Sequence, residues 1–196
     1  MIKKTSNNKI AVIILHEIYG INSFIEEMCT EYNMHGFDVF CPNMIQRENF
    51  LYSEAEEAYQ YFRNNIGFEC YKEVEDIISK LKLTYKKVFV IGFSVGATIA
   101  WRCCEHTDCD GIVCCYGSRI RDYMSLQPSC PVLLLFAAHD SFDVECVGKR
   151  LAPKIKVDLH ILQANHGFMD HYSNFFDGEQ ARRSNVYIKQ FLNQQL

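Results

Sequence analysis

The 196-residue chain lacks any long hydrophobic run. Its first residues, Met-Ile-Lys-Lys, are positively charged, but the apolar stretch that follows at 10–15 has only six residues. A membrane-spanning helix needs about 20 apolar residues, and the core of a signal peptide needs about 7 to 15. We therefore expect neither a membrane segment nor an export signal, and we expect a cytoplasmic protein.

An excess of positive charge is also lacking. The chain has 20 Lys and Arg against 24 Asp and Glu, which gives a formal net charge of −4. Nucleic acids and anionic membranes attract strongly basic surfaces. The composition therefore argues against a nucleic-acid or membrane partner and favours a small-molecule ligand, and it leaves the oligomeric state open.

The ten cysteines include no C-x-x-C pair. Structural zinc sites usually carry such pairs, and disulfide frameworks are typical of small exported domains. We interpret the cysteines as small buried apolar residues of a reducing compartment. A thiol-based redox protein that uses the cluster at 103–115 is the alternative, and we predict no metal and no cofactor.

Repeats, low-complexity tracts and linker-like segments are absent as well, so we expect a single domain over residues 1–196. Apolar runs alternate with helical patterns, which predicts right-handed crossovers and a mainly parallel sheet with helices on both faces. The helical patterns lie at 22–34, 53–64, 70–82, 95–106, 143–150 and 179–193. The six predicted strands are Ile10–Leu15, Asp38–Cys41, Lys87–Ile91, Gly111–Tyr116, Val132–Phe136 and Val157–Leu162.

The most informative segment is Gly-Phe-Ser-Val-Gly at 92–96, which follows an apolar run and precedes a helical pattern. This arrangement is typical of a nucleophile elbow, a sharp strand-to-helix turn that exposes the hydroxyl of Ser94. Glycine is needed on both sides because a Cβ would clash with the neighbouring strand or helix. The alternative is a glycine-rich turn in which Ser94 only caps the helix.

Reactive residues follow several of the other predicted strands. Ligands of a parallel sheet bind beyond the carboxyl ends of its strands. His166 follows the last strand and is the candidate base, and Asp140 follows the fifth strand and is the candidate carboxylate that orients it. The chain order Ser94, Asp140, His166 is that of an α/β-hydrolase. Asp143 and His171 are the alternatives to Asp140 and His166.

An acyl-transfer site also needs two N–H groups that stabilise the oxyanion. One is expected from the backbone of Val95, the residue after the nucleophile, and the other from the turn after the first predicted strand, near Ile18.

Four motifs together resemble the dienelactone hydrolase family: His-Glu-Ile-Tyr-Gly-Ile-Asn at 16–22, Gly-Phe-Ser-Val-Gly at 92–96, His-Asp at 139–140 and Asn-His-Gly-Phe at 165–168. The resemblance implies a three-layer α/β-hydrolase fold without a large lid, which acts on esters or lactones. It implies that Ser94, Asp140 and His166 form the triad and that Ile18 and Val95 form the oxyanion hole. Glu17 matches a family glutamate that contacts the nucleophile.

The chain departs from the family pattern at three points. Well-known members have a cysteine at the elbow, so Glu17 here either supports catalysis or only accepts hydrogen bonds from the turn. Asp170 stands where dienelactone-cleaving members have an arginine for the substrate carboxylate, which argues against dienelactone as the substrate. The stretch before Ile10 is short, so we expect a trimmed sheet of about six strands.

Residues 117–131 are too few to form a cap domain, so we expect an open site for a small ester. Aromatic residues at 44–69 are expected to divide between core packing and the pocket wall. Arg47 and Arg63 are expected either to be solvated or to meet an acidic group of the substrate. The sequence thus predicts a serine hydrolase that cleaves a small carboxylic ester or lactone. The alternative is a non-catalytic protein that binds a small ligand on the same fold.

Overall fold

Seven strands form one sheet in the computed structural model, which describes residues 1–6 and 8–196. The order across the sheet is β1-β3-β2-β4-β5-β6-β7, and every pairing is parallel except that of β1 with β3. The strands are β1 (Ile2–Lys4), β2 (Ile10–Leu15), β3 (Asp38–Cys41), β4 (Lys87–Phe93), β5 (Gly111–Cys115), β6 (Val132–His139) and β7 (Val157–Asn165).

Helices cover both faces of the sheet. They are α1 (Ser23–Met34), α2 (Ala55–Asn65), α3 (Tyr71–Lys82), α4 (Val95–Arg102), α5 (Val144–Leu151) and α6 (Gly178–Gln195). Buried side chains of α1 and α6 form one apolar cluster with the sheet, and those of α3, α4 and α5 form another on the opposite face. The predicted three-layer α/β fold is confirmed. No described helix is both long enough and apolar enough to cross a bilayer.

The interior strand β2 shows why the apolar runs are nearly continuous. Val12 and Ile14 pack on the side of α1 and α6, whereas Ile13 and Leu15 pack on the side of α4, and all four are fully buried. Successive side chains of a strand point to opposite faces, so a strand that is covered on both faces needs apolar residues at every position.

The sequence prediction of about six strands missed β1. Ile2–Lys4 contains one apolar residue and pairs antiparallel with β3, with Ile2 opposite Cys41. An edge strand of this length is held mainly by backbone hydrogen bonds and leaves no apolar pattern to detect.

Other predicted boundaries shift where strands approach the carboxyl edge of the sheet. β4, β6 and β7 continue two or three residues past their predicted ends, and β5 stops at Cys115, one residue earlier than predicted. The ladder between β6 and β7 reaches the pair His139 and Asn165 after an irregularity in register. These residues are polar, so apolar periodicity could not include them.

Helix α4 ends at Arg102 rather than at 106. The N–H of Cys103 donates to the carbonyl of Ala100 at 3.0 Å, and the N–H of Cys104 donates to that of Trp101 at 3.0 Å. These bonds span three residues, so the last turn tightens into 3₁₀ geometry and the helix stops.

Candidate active site

Ser94 lies in a strained turn between β4 and α4. Its backbone has φ 53° and ψ −114°, in a region that non-glycine residues rarely occupy. The Ser94 N–H donates to the carbonyl of Cys115 at 3.0 Å, and the Ser94 carbonyl accepts from the N–H of Thr98 at 3.2 Å. Hydrogen bonds to β5 and α4 therefore hold the strained turn that exposes the hydroxyl.

The two glycines of this turn allow close backbone approach. A Cβ on Gly92 would lie 2.2 Å from the carbonyl oxygen of Gly96. A Cβ on Gly96 would lie 2.4 Å from the carbonyl oxygen of Leu15 and 2.6 Å from that of His16. These distances are far below van der Waals contact, so the elbow requires glycine at both positions.

Three of the predicted side chains meet at the carboxyl edge of the sheet. Ser94 Oγ lies 2.8 Å from His166 Nε2, and His166 Nδ1 lies 2.7 Å from Asp140 Oδ2. Since the Asp140 carboxylate can only accept, Nδ1 carries the imidazole proton and Nε2 is left to accept from the serine hydroxyl. The hydrogen bonds thus run from the serine through the imidazole to the carboxylate.

The alternatives to two of these residues lie elsewhere. Asp143 caps α5, where its Oδ1 accepts from the N–H of Cys146 at 2.9 Å. His171 Nε2 lies 3.1 Å from Glu27 Oε2 at the protein surface. Each of these residues has a local structural partner and is separate from Ser94.

The two titratable groups of the cluster stabilise each other's charged form. Burial alone would raise the pKa of Asp140, but the hydrogen bond and charge of His166 outweigh it and hold that pKa below its ordinary value. Burial alone would lower the pKa of His166, but the Asp140 hydrogen bond and charge, with a contribution from Glu17, raise it. His166 is therefore a stronger base than an isolated imidazole.

Two backbone N–H groups are free where the oxyanion was predicted. Val95 begins α4, Ile18 lies in the turn after β2, and both line the cleft beside Ser94. Neither N–H donates a hydrogen bond within residues 1–6 and 8–196. The Val95 N–H is free because the first N–H groups of a helix have no intrahelical partner, and the Ile18 N–H is free because no described backbone group in its turn accepts from it. Both donors are therefore available for an anion.

His16 holds the turn that carries Ile18, a role that the sequence analysis did not assign. Its Nδ1 lies 2.6 Å from the Glu17 carbonyl, and its Nε2 accepts from the N–H of Met44 at 2.9 Å. Burial lowers the pKa of His16 to about 4. The ring is therefore neutral and links the two segments; a histidine directly after a strand was the only signal for it.

An open cleft of about 370 Å³ lies over Ser94. Aromatic side chains wall part of it: Tyr59, from the predicted aromatic stretch, and Phe175, which was not predicted. His139 also lines it. The remaining lining residues are Ile18, Val95, Ser118, Arg119, Arg121, Asp140, Ser141, Asn165 and His166.

The arginines of the cleft are not those that the sequence suggested. Arg47 and Arg63 stack on aromatic rings, with the Arg47 guanidinium 4.0 Å from the Phe50 centroid, and neither lines the cleft. Arg119 and Arg121 do line it, from the 3₁₀ turn after β5. The sequence could not indicate that these two arginines line the cleft, because a short turn has no hydrophobic periodicity.

These two arginines differ in their charge balance. Arg119 Nε lies 2.7 Å from Asp122 Oδ2. Arg121 donates from Nη1 to the carbonyl of Ser118 at 2.5 Å and forms no ion pair with any described residue. Arg121 therefore brings to the cleft one positive charge that is not held in an ion pair.

Glu17 and Asp170 lie behind the cleft wall rather than in it. Glu17 is 5% exposed, Asp170 is fully buried, and neither lines the cleft. Within the part of the chain that the structure describes, no hydrogen bond joins Glu17 to Ser94. The Asp170 carboxylate accepts from the hydroxyl of Tyr52, so the predicted repulsion of an anionic substrate could act only through the protein interior.

The sequence model of the Dienelactone hydrolase family matches residues 1–196. The chain belongs to the dienelactone hydrolase family. The uncharacterized protein YczH of Bacillus subtilis (strain 168) is 42% identical over 172 residues, which cover 85% of this chain and 84% of that protein. Carboxymethylenebutenolidase 1 of Cupriavidus pinatubonensis (strain JMP 134 / LMG 1197) is 24% identical over 209 residues, with 97% and 88% covered.

Solved structures agree on the fold. A candidate dienelactone hydrolase from Klebsiella pneumoniae superposes with a TM-score of 0.82 at 18% identity, covering 97% of this chain and 90% of that chain. The monoacylglycerol lipase of Paleococcus ferrophilus superposes with a TM-score of 0.72 at 14% identity, covering 100% and 98%. At these identities the likeness establishes an α/β-hydrolase fold, and the family membership establishes a hydrolase.

Proposed function

We propose that this hydrolase cleaves a small carboxylic ester or lactone through an acyl-enzyme on Ser94. The observation that carries the proposal is the continuous hydrogen-bonded series from Ser94 Oγ to His166 Nε2 at 2.8 Å and from His166 Nδ1 to Asp140 Oδ2 at 2.7 Å. A serine hydroxyl becomes a nucleophile when a base within hydrogen-bond distance takes its proton.

In the first half of the reaction, Ser94 Oγ attacks the carbonyl carbon while His166 Nε2 takes the hydroxyl proton. The carbonyl oxygen becomes an oxyanion, which accepts hydrogen bonds from the N–H groups of Ile18 and Val95. Asp140 stabilises the imidazolium and holds the ring orientation. His166 then returns the proton to the leaving alkoxide, and the acyl group stays on Ser94.

In the second half, His166 takes a proton from water, and the resulting hydroxide attacks the acyl carbon. The second tetrahedral intermediate uses the same two N–H donors. Collapse of this intermediate releases the carboxylic acid and returns the proton to Ser94. Each step of this reaction uses only the substrate, water, and the side chains and N–H donors already named.

The shape and charge of the cleft support a small substrate with an acidic group. Its volume of about 370 Å³ fits a small molecule, and the aromatic rings of Tyr59 and Phe175 offer apolar contact. Arg121 is the one cleft arginine whose charge no described carboxylate balances. A guanidinium binds a carboxylate through paired hydrogen bonds, so we infer a preference for esters that carry one.

The test is hydrolysis of p-nitrophenyl acetate by wild-type protein and by two serine variants. Ser94→Ala should lower kcat by about 10⁴-fold or more because it removes the nucleophile. Ser118→Ala is the matched control, since Ser118 lines the same cleft, and it should retain activity within about twofold. Hydrolysis by Ser94→Ala at the wild-type rate would contradict the proposal.

A further inference from the structure

Two buried carboxyl groups lie outside the hydrogen-bonded series of Ser94, His166 and Asp140. Glu17 belongs to the turn after β2 and Asp170 to the loop after β7, and they are 5% and 0% exposed. Neither forms an ion pair with a lysine or arginine anywhere in residues 1–6 and 8–196. Two buried like charges without a cation strongly disfavour joint ionisation, so one of the two groups holds a proton.

Hydrogen bonding shows which group is the anion. Asp170 Oδ2 accepts from the Tyr52 hydroxyl at 2.5 Å, and its Oδ1 accepts from the N–H of Tyr172 at 2.9 Å. The Tyr52 oxygen in turn accepts from Asn22 Nδ2 at 2.9 Å, so its own proton is free to point at Asp170. Donors on both oxygens stabilise the carboxylate form of Asp170.

Glu17 has the opposite environment. Its Oε1 is buried and has no hydrogen-bond partner among the described residues, and the same is true of the Tyr116 hydroxyl, which faces it. The Tyr116 hydroxyl could donate to Glu17 Oε1 in either protonation state, so it does not distinguish the two forms. What distinguishes Glu17 from Asp170 is that no other described N–H or side-chain group donates to its carboxyl group, whereas both Asp170 oxygens accept. The geometry therefore favours the neutral form of Glu17.

The electrostatics agree with this assignment. Burial and then the charge of Asp170 raise the pKa of Glu17 to about 7, while His166 and Tyr116 act in the opposite direction. Asp170 is not among the groups that shift the pKa of His166, which Asp140 and Glu17 raise. The titratable groups that face Glu17 are His166, Asp170, Tyr116, Cys115, Tyr19 and Tyr52.

We propose that Asp170 is a positioning residue that keeps Glu17 protonated, so that His166 is paired with one carboxylate, that of Asp140. The consequence for catalysis rests on the proposed function, in which His166 is the base. An ionised Glu17 would stabilise the imidazolium and keep the base protonated at neutral pH.

The protonation of Glu17 is measured by infrared titration of the protonated-carboxyl C=O stretch. We expect wild-type protein to show this band at about pH 6 and to lose it with a midpoint near 7. Glu17→Gln should lack the band, and Asp170→Asn should lower its midpoint by about one pH unit. Glu27→Gln is the matched control, because Glu27 contacts Tyr172 on the same loop but does not face Glu17, and it should retain the band.

The effect on the base is measured by NMR titration of the His166 imidazole. Asp170→Asn should raise the pKa of His166 by about half a unit, because Glu17 then ionises at lower pH. That shift would lower kcat/KM at about pH 6.5 by roughly threefold. The double variant Glu17→Gln/Asp170→Asn should match Glu17→Gln in both values, because Asp170 is inferred to act on His166 only through Glu17.

Two results would overturn the inference: persistence of the infrared band in Glu17→Gln, or an unchanged midpoint of the band in a folded Asp170→Asn variant. If thermal denaturation shows that Asp170→Asn does not fold, the comparison of wild type with Glu17→Gln still tests whether Glu17 holds the proton. Neither readout needs turnover. If wild-type protein hydrolyses no ester, the proposed function is refuted, but the conclusion that Glu17 is protonated is not affected.

Discussion

The interior of the sheet and its carboxyl edge are built from the same strands but differ in packing and in backbone strain. Cys114 and Cys115, the last two residues of β5, are fully buried, and burial raises their pKa values above the ordinary thiol value. One residue further, Tyr116 has φ 45° and a buried hydroxyl without a described partner. Packing governs the interior, whereas the edge accepts strain and unpaired polar groups.

The comparison explains how a small domain holds a strained site. Ser94, with φ 53°, follows six buried residues of β4, and Tyr116 follows the fully buried β5. Packing of these strands offsets the free-energy cost of the strained backbone at their ends. Polar groups at the edge are aimed at the cleft because rigid strands fix where each chain leaves the sheet. We therefore expect substitutions at the carboxyl edge to reduce activity without unfolding the protein. Substitutions in the interior are expected to reduce the stability of the fold.

The largest effect on the edge alone is expected from Asp140→Asn. The asparagine cannot hold the same imidazole tautomer, so kcat for ester hydrolysis should fall by about 10³- to 10⁴-fold with little change in thermal stability. Asp143→Asn is the control, since Asp143 caps α5; it should cost at most about 1 kcal/mol of stability and leave kcat unchanged. Equal losses of activity in both variants would contradict the account.

Asp140 also sets the pH dependence of the reaction. His166 must be neutral to accept the serine proton, and its pKa lies above the ordinary 6.5 because of Asp140. Wild-type kcat/KM should therefore rise with pH through an apparent pKa above 6.5 and stay high on the alkaline side.

The boundary between edge and interior is probed by Gly96→Ala. Its Cβ would meet backbone carbonyl oxygens at 2.4 and 2.6 Å, so the free energy of unfolding should fall by about 3 kcal/mol or more. Gly148→Ala is the matched control in α5, where the nearest atom would be a side-chain methyl at 3.4 Å. It should be neutral or stabilising by up to about 1 kcal/mol in urea denaturation.

A smaller and selective effect is expected from Arg121→Gln. The variant should lower kcat/KM for p-nitrophenyl hemisuccinate by about tenfold and leave that for p-nitrophenyl butyrate within about twofold, because only the first carries a carboxylate. Arg47→Gln should change neither, since Arg47 stacks on Phe50 outside the cleft. A parallel fall for both esters would argue against a role in charge recognition.

The smallest effect on function is expected from the thiols. Cys146 is exposed and Cys70 is partly buried, whereas the other eight cysteines are buried. Iodoacetamide should label Cys146 first in the native protein, and kcat/KM should stay within about twofold. Peptide mass spectrometry locates the label. Rapid native labelling within the cluster at 103–115 would favour a redox role for those cysteines.

Sequence reasoning recovered what periodicity and motif spacing can carry. The six longer strands and the convergence of Ser94, Asp140 and His166 follow from apolar runs and from the polar residues after them. It missed β1, because a three-residue edge strand has no apolar pattern. It also missed Arg121, because the direction of a short 3₁₀ turn depends on tertiary packing.

Asp170 marks the limit of reasoning from a resemblance. Its position in the motif suggested a side chain that faces the substrate, whereas it is fully buried and bonded to Tyr52, 118 residues away in sequence. Contacts at such separations are fixed by the folded chain, and no local pattern encodes them.

The central claim is that Ser94 is the nucleophile, and covalent labelling tests it most directly. Wild-type protein would be treated with a fluorophosphonate probe, digested and analysed by peptide mass spectrometry. We expect one adduct, on the peptide that contains Ser94, and none after His166→Gln, in which the base is lost. An adduct on another serine of the cleft, such as Ser118 or Ser141, with Ser94 unmodified, would contradict the account.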